Sequence, residues 1–529
     1  VILLVLLCSC VALAERQGWQ WQEVDWRMSG LSRIKAISYP ADKPPPILDQ
    51  HHRGQSKVRV KEITPSSTAA LGQSPTGPIL ASVIDSPPIG GFVPWIVLSV
   101  TDADVGGDFN AYFSEEVVGN YLTSNPQSDY AIGIYDTGAS VILIGDDDAV
   151  KTGIDDAGLI TPFEMELLGA TGSAITYTTN PLGVFIAGLD ILDSNSQLVD
   201  NPEMVGEYNV SVIVGDAVQS PNVPTVVGMP MAVNCSAAFC NNKRLSVTVD
   251  GYDLNSPYIS CYALGDSSVP SYSNVIDLQL RPTDAAAVQY FPCYEILGTC
   301  EGEPDGTPLY PSLIWGLLDS QSAYFLPWVN LADGNESITG LDGFMLDTGA
   351  QITVINRTLA SGLHLSSNNP DFIVKIYDVT GSVTDANGFF IDQLQIPADG
   401  QWLEYTNVPV VMLNVQSPEG GFLDGIIGMN LFVDLNFIIN GGGMMGQGYT
   451  PTLEFEPACR ITGDIAPKCG NCIVDNLDLA EFADHWLEDS NSPNWYPECD
   501  MAPPLSPDSI VDILDLAVLV EHWLEGIEP

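Results

Sequence analysis

Two copies of Asp-Thr-Gly, each set between apolar runs, constrain this chain more than any other feature. The first reads Ile134-Tyr135-Asp136-Thr137-Gly138-Ala139-Ser140 and continues into Val141-Ile142-Leu143-Ile144. The second reads Met345-Leu346-Asp347-Thr348-Gly349-Ala350-Gln351 and continues into Ile352-Thr353-Val354-Ile355. Each predicts a buried strand, a tight carboxylate-bearing loop and a second strand. One copy would be an ordinary turn, since turns favour such residues. Two copies with repeated surroundings mean more.

The surroundings do repeat. Phe92-Val93-Pro94-Trp95 precedes Asp136, and Phe325-Leu326-Pro327-Trp328 precedes Asp347. A Thr-Gly-Ser turn follows each: Thr171-Gly172-Ser173 and Thr380-Gly381-Ser382. The step from Asp136 to Thr171 nearly equals that from Asp347 to Thr380. Gly183-Val184-Phe185 matches Gly388-Phe389-Phe390, and Val226-Val227-Gly228-Met229 matches Ile426-Ile427-Gly428-Met429. The repeat is about 200 residues, far above the periods of solenoids. It predicts two related lobes, residues 76–240 and 306–460, facing each other about a pseudo-twofold axis. Residues 241–305 then form an inter-lobe connection with an insertion.

Composition agrees with packed, β-rich cores: the 529 residues are 45% hydrophobic and only 16% charged. No long amphipathic helical pattern dominates the main body. The net charge of −50, from 17 Lys+Arg against 67 Asp+Glu, would repel nucleic acid and anionic membranes. Neither is an expected partner. Residues 1–14 end in Ala12-Leu13-Ala14 and look like a secretory signal peptide. Leu7-Cys8-Ser9-Cys10 weakly resembles a lipoprotein box, which makes an acylated Cys10 the alternative. The expected location is therefore secreted or cell-surface associated, with no membrane span. Residues 15–75 read as a leader, linker or propeptide. Eleven cysteines fit an exported, disulfide-permissive context. Cys235/Cys240, Cys293/Cys300 and Cys469/Cys472 are close enough in sequence to pair, though spacing does not fix connectivity.

Residues 76–460 resemble a two-lobed aspartic peptidase of the pepsin and retropepsin type. In that family each lobe gives one Asp-Thr/Ser-Gly loop, and an apolar-apolar-Gly segment passes behind it. The resemblance implies a mainly β, bilobal fold with Asp136 and Asp347 as the catalytic pair. It gives Thr137, Gly138, Ser140, Thr348, Gly349, Gly228 and Gly428 supporting roles. Two carboxylates held together share a proton; the ionised member activates a water and the protonated one polarises the scissile carbonyl. No catalytic cofactor is needed, and a monomer acting on peptide or protein substrates is expected. The Thr-Gly-Ser turns lie where the family places flap hairpins, so Gly172, Tyr177 and Gly381 are flap candidates. An ordinary strand tyrosine is the competing reading of Tyr177. Gln351 stands where the family usually has Ser or Thr.

Other chemistries fit poorly. Among five histidines there is no His-Glu-x-x-His pattern, and neither a Gly-x-Ser-x-Gly elbow nor a phosphate-cradling Gly-x-x-x-x-Gly-Lys occurs. His364 reads as a core or surface histidine.

Residues 461–529 carry a second repeat. Ile473-Val474-Asp475-Asn476-Leu477-Asp478-Leu479-Ala480 parallels Ile510-Val511-Asp512-Ile513-Leu514-Asp515-Leu516-Ala517, and both halves end in His-Trp-Leu-Glu. Helical spacing follows each loop, at 479–487 and 516–524. The pair resembles a duplicated dockerin-type module, a small α-helical domain. That resemblance implies calcium ligands at Asp464, Asn471, Asp475 and Asp478, and at Asp500, Asp508, Asp512 and Asp515. Cys472 and Ser509 stand where the family has Gly. A cohesin-like scaffold or cell-surface partner is implied. A helical pair stapled by cysteines is the plainer alternative. The chain as a whole reads as a secreted aspartic endopeptidase tethered through its tail; the alternative is a catalytically inactive peptidase-fold binding or adhesion protein.

Overall fold

The computed structural model describes residues 84–102, 121–168, 173–282, 322–377, 383–415 and 422–525, apart from short breaks, with strand segments at 34–35 and 113–116. The signal-like residues 1–14, most of 15–75, and Cys293 and Cys300 lie outside these. The chain is mainly β, 45% strand. The described strands form sheets of ten, nine and six.

The ten-stranded sheet carries the first Asp-Thr-Gly. Strand Ala131–Tyr135 enters the loop and strand Ile142–Ile144 leaves it. Val226–Val227 lies between them, parallel to the first and antiparallel to the second. All residues of the entering and leaving strands are buried. Their unbroken apolar runs follow from burial on both faces. Ile132, Ile134 and Leu143 face one core, while Ala131, Tyr135, Ile142 and Ile144 face another. Each such side chain contributes about 1.5–3 kcal/mol when fully buried.

The nine-stranded sheet repeats this arrangement. Glu336–Leu346 enters the second loop, and Val354–Ile355 leaves it. Gly425–Ile427 runs between, again parallel to the first and antiparallel to the second. The strands on either side of each Thr-Gly-Ser segment pair antiparallel in both lobes, Ile160–Leu168 with Ser173–Thr179 and Phe372–Tyr377 with Val383–Ala398. Their tips, with Gly172 and Gly381, lie outside the described residues.

The six-stranded sheet joins the lobes. Cys235–Asp250, following the first lobe, pairs antiparallel with Leu435–Asn440 of the second. Phe239 and Phe437 stack across that pairing with ring centroids 4.4 Å apart. Asn241 reinforces it, donating its side-chain amide to the carbonyls of Phe432 and Leu435 at 3.1 and 2.7 Å. The segment Ile84–Asp85 crosses to pair with Gln401–Met412.

The tail is a separate helical pair with its own core of Ile465, Val474, Phe482, Cys499, Val511 and Leu519. Helices Asn476–Asp484 and Ile513–Glu521 start in matching capping boxes, Asp475/Asp478 and Asp512/Asp515. Each box satisfies backbone N–H groups that the first turn leaves open. The halves exchange backbone bonds: Leu487 donates to Val511 at 2.9 Å, and Leu524 to Val474 at 2.9 Å. Cys472 and Ser509 adopt φ of 66° and 68°, the left-handed turn that the expected Gly would take more easily.

Cysteine pairing differs from the local expectation. Cys472 is bonded to Cys459, stapling the tail to the end of the second lobe. Cys235 does not pair with Cys240; both lie in one extended strand, which holds them about 16 Å apart. Cys235 is instead a buried thiol against the Tyr135 hydroxyl, and Cys240 is disulfide-bonded elsewhere. A hydrogen bond from Tyr258 to Glu498 gives a second link between body and tail. Among the described residues no helix is long and apolar enough to cross a membrane.

Candidate active site

The two Asp-Thr-Gly loops meet. Each is built identically from the backbone up. Asp136 N donates to Val227 O at 2.9 Å, and Asp347 N to Ile427 O at 3.1 Å. Met229 N donates to Ala139 O and Met429 N to Ala350 O, both at 2.8 Å. The segments behind the loops thus hold each loop at two points. Only glycine fits there: a Cβ on Gly228 would lie 2.2 Å from Val141 O, and one on Gly428 would lie 2.6 Å from Ile352 O.

Thr137 and Thr348 lock the loops together. Thr137 N donates to Thr348 Oγ1 at 3.0 Å, and Thr348 N donates to Thr137 Oγ1 at 3.1 Å. The hydroxyls then donate outward, Thr137 to Leu346 O at 2.8 Å and Thr348 to Tyr135 O at 2.6 Å. These four bonds use every donor and one acceptor position of both threonines in a fully buried place.

The lock sets the carboxyl groups against each other. A Cβ on Gly138 would come within 2.4 Å of Asp347 Cγ, and one on Gly349 within 2.4 Å of Asp136 Cγ. Each glycine therefore makes room for the partner's carboxyl. Gly138 N donates to Asp136 Oδ1 at 2.8 Å, and Ala350 N to Asp347 Oδ1 at 3.0 Å. Both Oδ2 atoms are buried and take no hydrogen bond from the loops. Burial raises the Asp136 proton affinity, placing its pKa at about 6 despite opposing hydrogen bonds. Asp347 rises further, through burial and then repulsion from Asp136. With Asp136 at about 6 and Asp347 higher, the facing carboxyls hold one proton between them above about pH 6 and a second below it.

The other expected residues fall as follows. Ser140 is buried beside the first loop. Gln351 directs its side-chain amide toward Gly91 O at 3.5 Å, while its backbone carbonyl accepts from Gly91 N at 2.7 Å. It leaves the Ala350–Asp347 bond intact. Tyr177 lies within strand Ser173–Thr179, paired with Glu164 and Val214. That is an interior strand position rather than the hairpin tip. His364 is a surface residue, 74% exposed, near Glu336.

In the tail, Asp464 accepts from the N–H groups of Asn471 and Cys472, and Asp478 from those of Ile465, Ala466 and Asp475. Asp515 repeats the Asp478 pattern with Met501, Ala502 and Asp512. Asn471, Asp475, Asp508 and Asp512 each accept from a backbone N–H two residues on. Asp500 accepts from Ser509 with one oxygen, and its Oδ1 is buried without a hydrogen bond. Among the described residues no three acidic, His or Cys side chains gather as a metal site.

Several contributors were not visible in the repeat. Gly91 packs against the second loop's supporting segment, where a Cβ would lie 2.2 Å from Met429 C. Thr353, Asn430, Asp148 and Thr225 brace the loops from behind, and each occurs in one lobe only.

Part of this chain is similar to known proteins. The crystal structure of edgp aligns at 11% identity with TM-score 0.30, over 69% of this chain and 96% of that one. The crystal structure of aspartic proteinase from Irpex lacteus aligns at 11% identity with TM-score 0.31, over the same shares. Likeness at that level does not establish a common fold. No curated protein matches the chain. The aspartyl protease family model, by contrast, matches residues 339–431, the stretch that holds the Asp347 loop and the Gly428 segment behind it.

Proposed function

We propose that this chain is an aspartic endopeptidase in which Asp136 and Asp347 activate one water between them. The observation that carries the reading is the reciprocal threonine lock, which brings two buried carboxyls from separate lobes face to face. The unpartnered Oδ2 atoms are the acceptors available to a water. Asp136, the weaker proton holder, takes a proton from that water as its oxygen attacks the scissile carbonyl carbon. Asp347, carrying the shared proton, donates to the carbonyl oxygen. The resulting gem-diol collapses as the C–N bond breaks: Asp136 gives its proton to the departing nitrogen, and Asp347 takes one back from a diol hydroxyl, which restores the pair. No bond to the protein forms.

The test is hydrolysis of a diverse peptide mixture between pH 3 and 8, using the full chain and a form lacking residues 15–75. Cleavage is expected, and Asp136→Asn or Asp347→Asn should abolish it. No cleavage by either wild-type form would leave the inactive binding-protein reading in its place.

The proposal includes export and a tethering role for the tail. The tail's independent core, its staple to Cys459 and its exposed Leu487, Ile513, Leu514 and Leu524 support a docking module. The second tail half is the better candidate for calcium, because the buried Asp500 Oδ1 has no protein donor. Asp500 would supply that oxygen, and Asp508, Asp512 and Asp515 would join it by giving up backbone N–H groups that they now accept from. Calcium should raise the tail's melting temperature, and Asp500→Asn should remove that response. An unchanged wild-type melting curve at millimolar calcium would end this part of the reading.

A further inference from the structure

The two loops look symmetric, yet their supports are not. Behind the second loop Thr353 Oγ1 donates to Asn430 Oδ1 at 2.9 Å. The same hydroxyl accepts from Gly428 N at 3.3 Å. Asn430 also reaches Pro409 O at 3.5 Å. Thr353, Asn430 and Gly428 are buried, Thr353 and Asn430 completely. The first lobe has Ile142 and Pro230 at the matching positions. Neither can make these bonds.

Gly428 is the hinge of the second support. On one side Ile427 O receives Asp347 N; on the other Met429 N donates to Ala350 O. Anything that fixes Gly428 therefore fixes both anchor points of the Asp347 loop. In the first lobe neither Ile142 nor Pro230 gives Gly228 such a side-chain bond, and the bracing there runs instead through Thr225 and Asp148, beside the strand that enters the loop.

We propose that Thr353 and Asn430 are positioning residues that hold the Asp347 loop, and not the Asp136 loop, in its place within the carboxyl pair. The inference rests on the peptidase reading for its kinetic consequence but not for its structural one. A loop held by a directed hydrogen bond keeps its register when the surrounding packing shifts. Asp347 is the carboxyl that holds the shared proton, so its placement sets the alkaline side of the reaction.

The decisive variant is Thr353→Val in the full chain, which keeps the shape and removes the hydroxyl. Hydrogen exchange should quicken at least tenfold at the amides of Asp347 and Ala350, with those of Asp136 and Ala139 unchanged. The value of kcat should fall about tenfold to a hundredfold, as expected for slight misplacement of a reacting group, with KM little altered. The alkaline limb of the kcat profile should move to lower pH as Asp347 loses burial. Thr353→Ser should restore all three. Asn430→Ser should reproduce the exchange effect in weaker form, which covers the case in which Thr353→Val fails to fold. Equal quickening in both loops, or an unmoved alkaline limb with only a lower melting temperature, would overturn the proposal. If the wild-type chain cleaves nothing, the peptidase reading fails, and the exchange comparison alone decides the brace.

Discussion

Thr348 carries more of the register between the lobes than either aspartate. Its hydroxyl donates to Tyr135 O and accepts from Thr137 N, both across the lobe boundary. Replacing it with Val strands a buried carbonyl and a buried amide, each worth about 1–3 kcal/mol. Thr348→Val should therefore lower the urea midpoint by the equivalent of about 2–5 kcal/mol, and Thr348→Ser should recover most of it. A Thr348→Val protein as stable as wild type would contradict the lock. This pair was legible in the sequence because it is duplicated: Thr137 and Thr348 occupy the same place in two copies of one phrase. Thr353 and Asn430 were not, since they touch across 77 positions and have no counterpart in the other lobe.

Among elements, the helix Asp146–Lys151 shows what a charge run conceals. Asp146, Asp147 and Asp148 make up its acidic first turn, where negative charge suits a helix N-terminus. Asp148 instead turns inward and accepts from Thr225 Oγ1, whose own backbone carbonyl receives Ile134 N. The helix is thereby tied to the strand that delivers Asp136. Burial raises the Asp148 pKa from 3.8 to about 6, with Thr225 and Lys151 opposing. The unfolded chain releases this proton near 3.8 while the folded one keeps it to about 6. Over that window unfolding releases a proton, so stability falls as pH rises, by about 3 kcal/mol in all. Asp136 and Asp347 act in the same direction. Urea midpoints should decline from pH 4 to 7, and Asp148→Asn should flatten part of that slope. A wild-type midpoint that is level or rises over this range would rule the account out. The tail elements were more legible: the capping aspartates recur in both halves, and both helices begin at them. The staple from Cys472 to Cys459 was not, because pairing depends on where two strand ends meet in space.

For the whole molecule, the sequence repeat translated into paired sheets whose central strands cross in the same order, plus a third sheet built from both lobes. The lobes could be read from spacing alone. Their mutual placement could not, because it rests on the aromatic stack of Phe239 on Phe437 and the amide bonds of Asn241. The net charge of −50 adds self-repulsion that weakens as carboxylates take up protons. Acid therefore favours the folded chain through its surface as well as through Asp136, Asp148 and Asp347. The facing carboxyls hold a single proton only at the upper end of that range, above about 6. The most direct test of that central claim is the pH profile of kcat/KM for peptide cleavage, measured for wild type, Asp136→Asn and Asp347→Asn. A bell-shaped wild-type profile, with at least a thousandfold loss in each variant, is the predicted result. A variant that retained a tenth of wild-type activity, or a wild-type profile with one limb only, would contradict a site shared between the two loops.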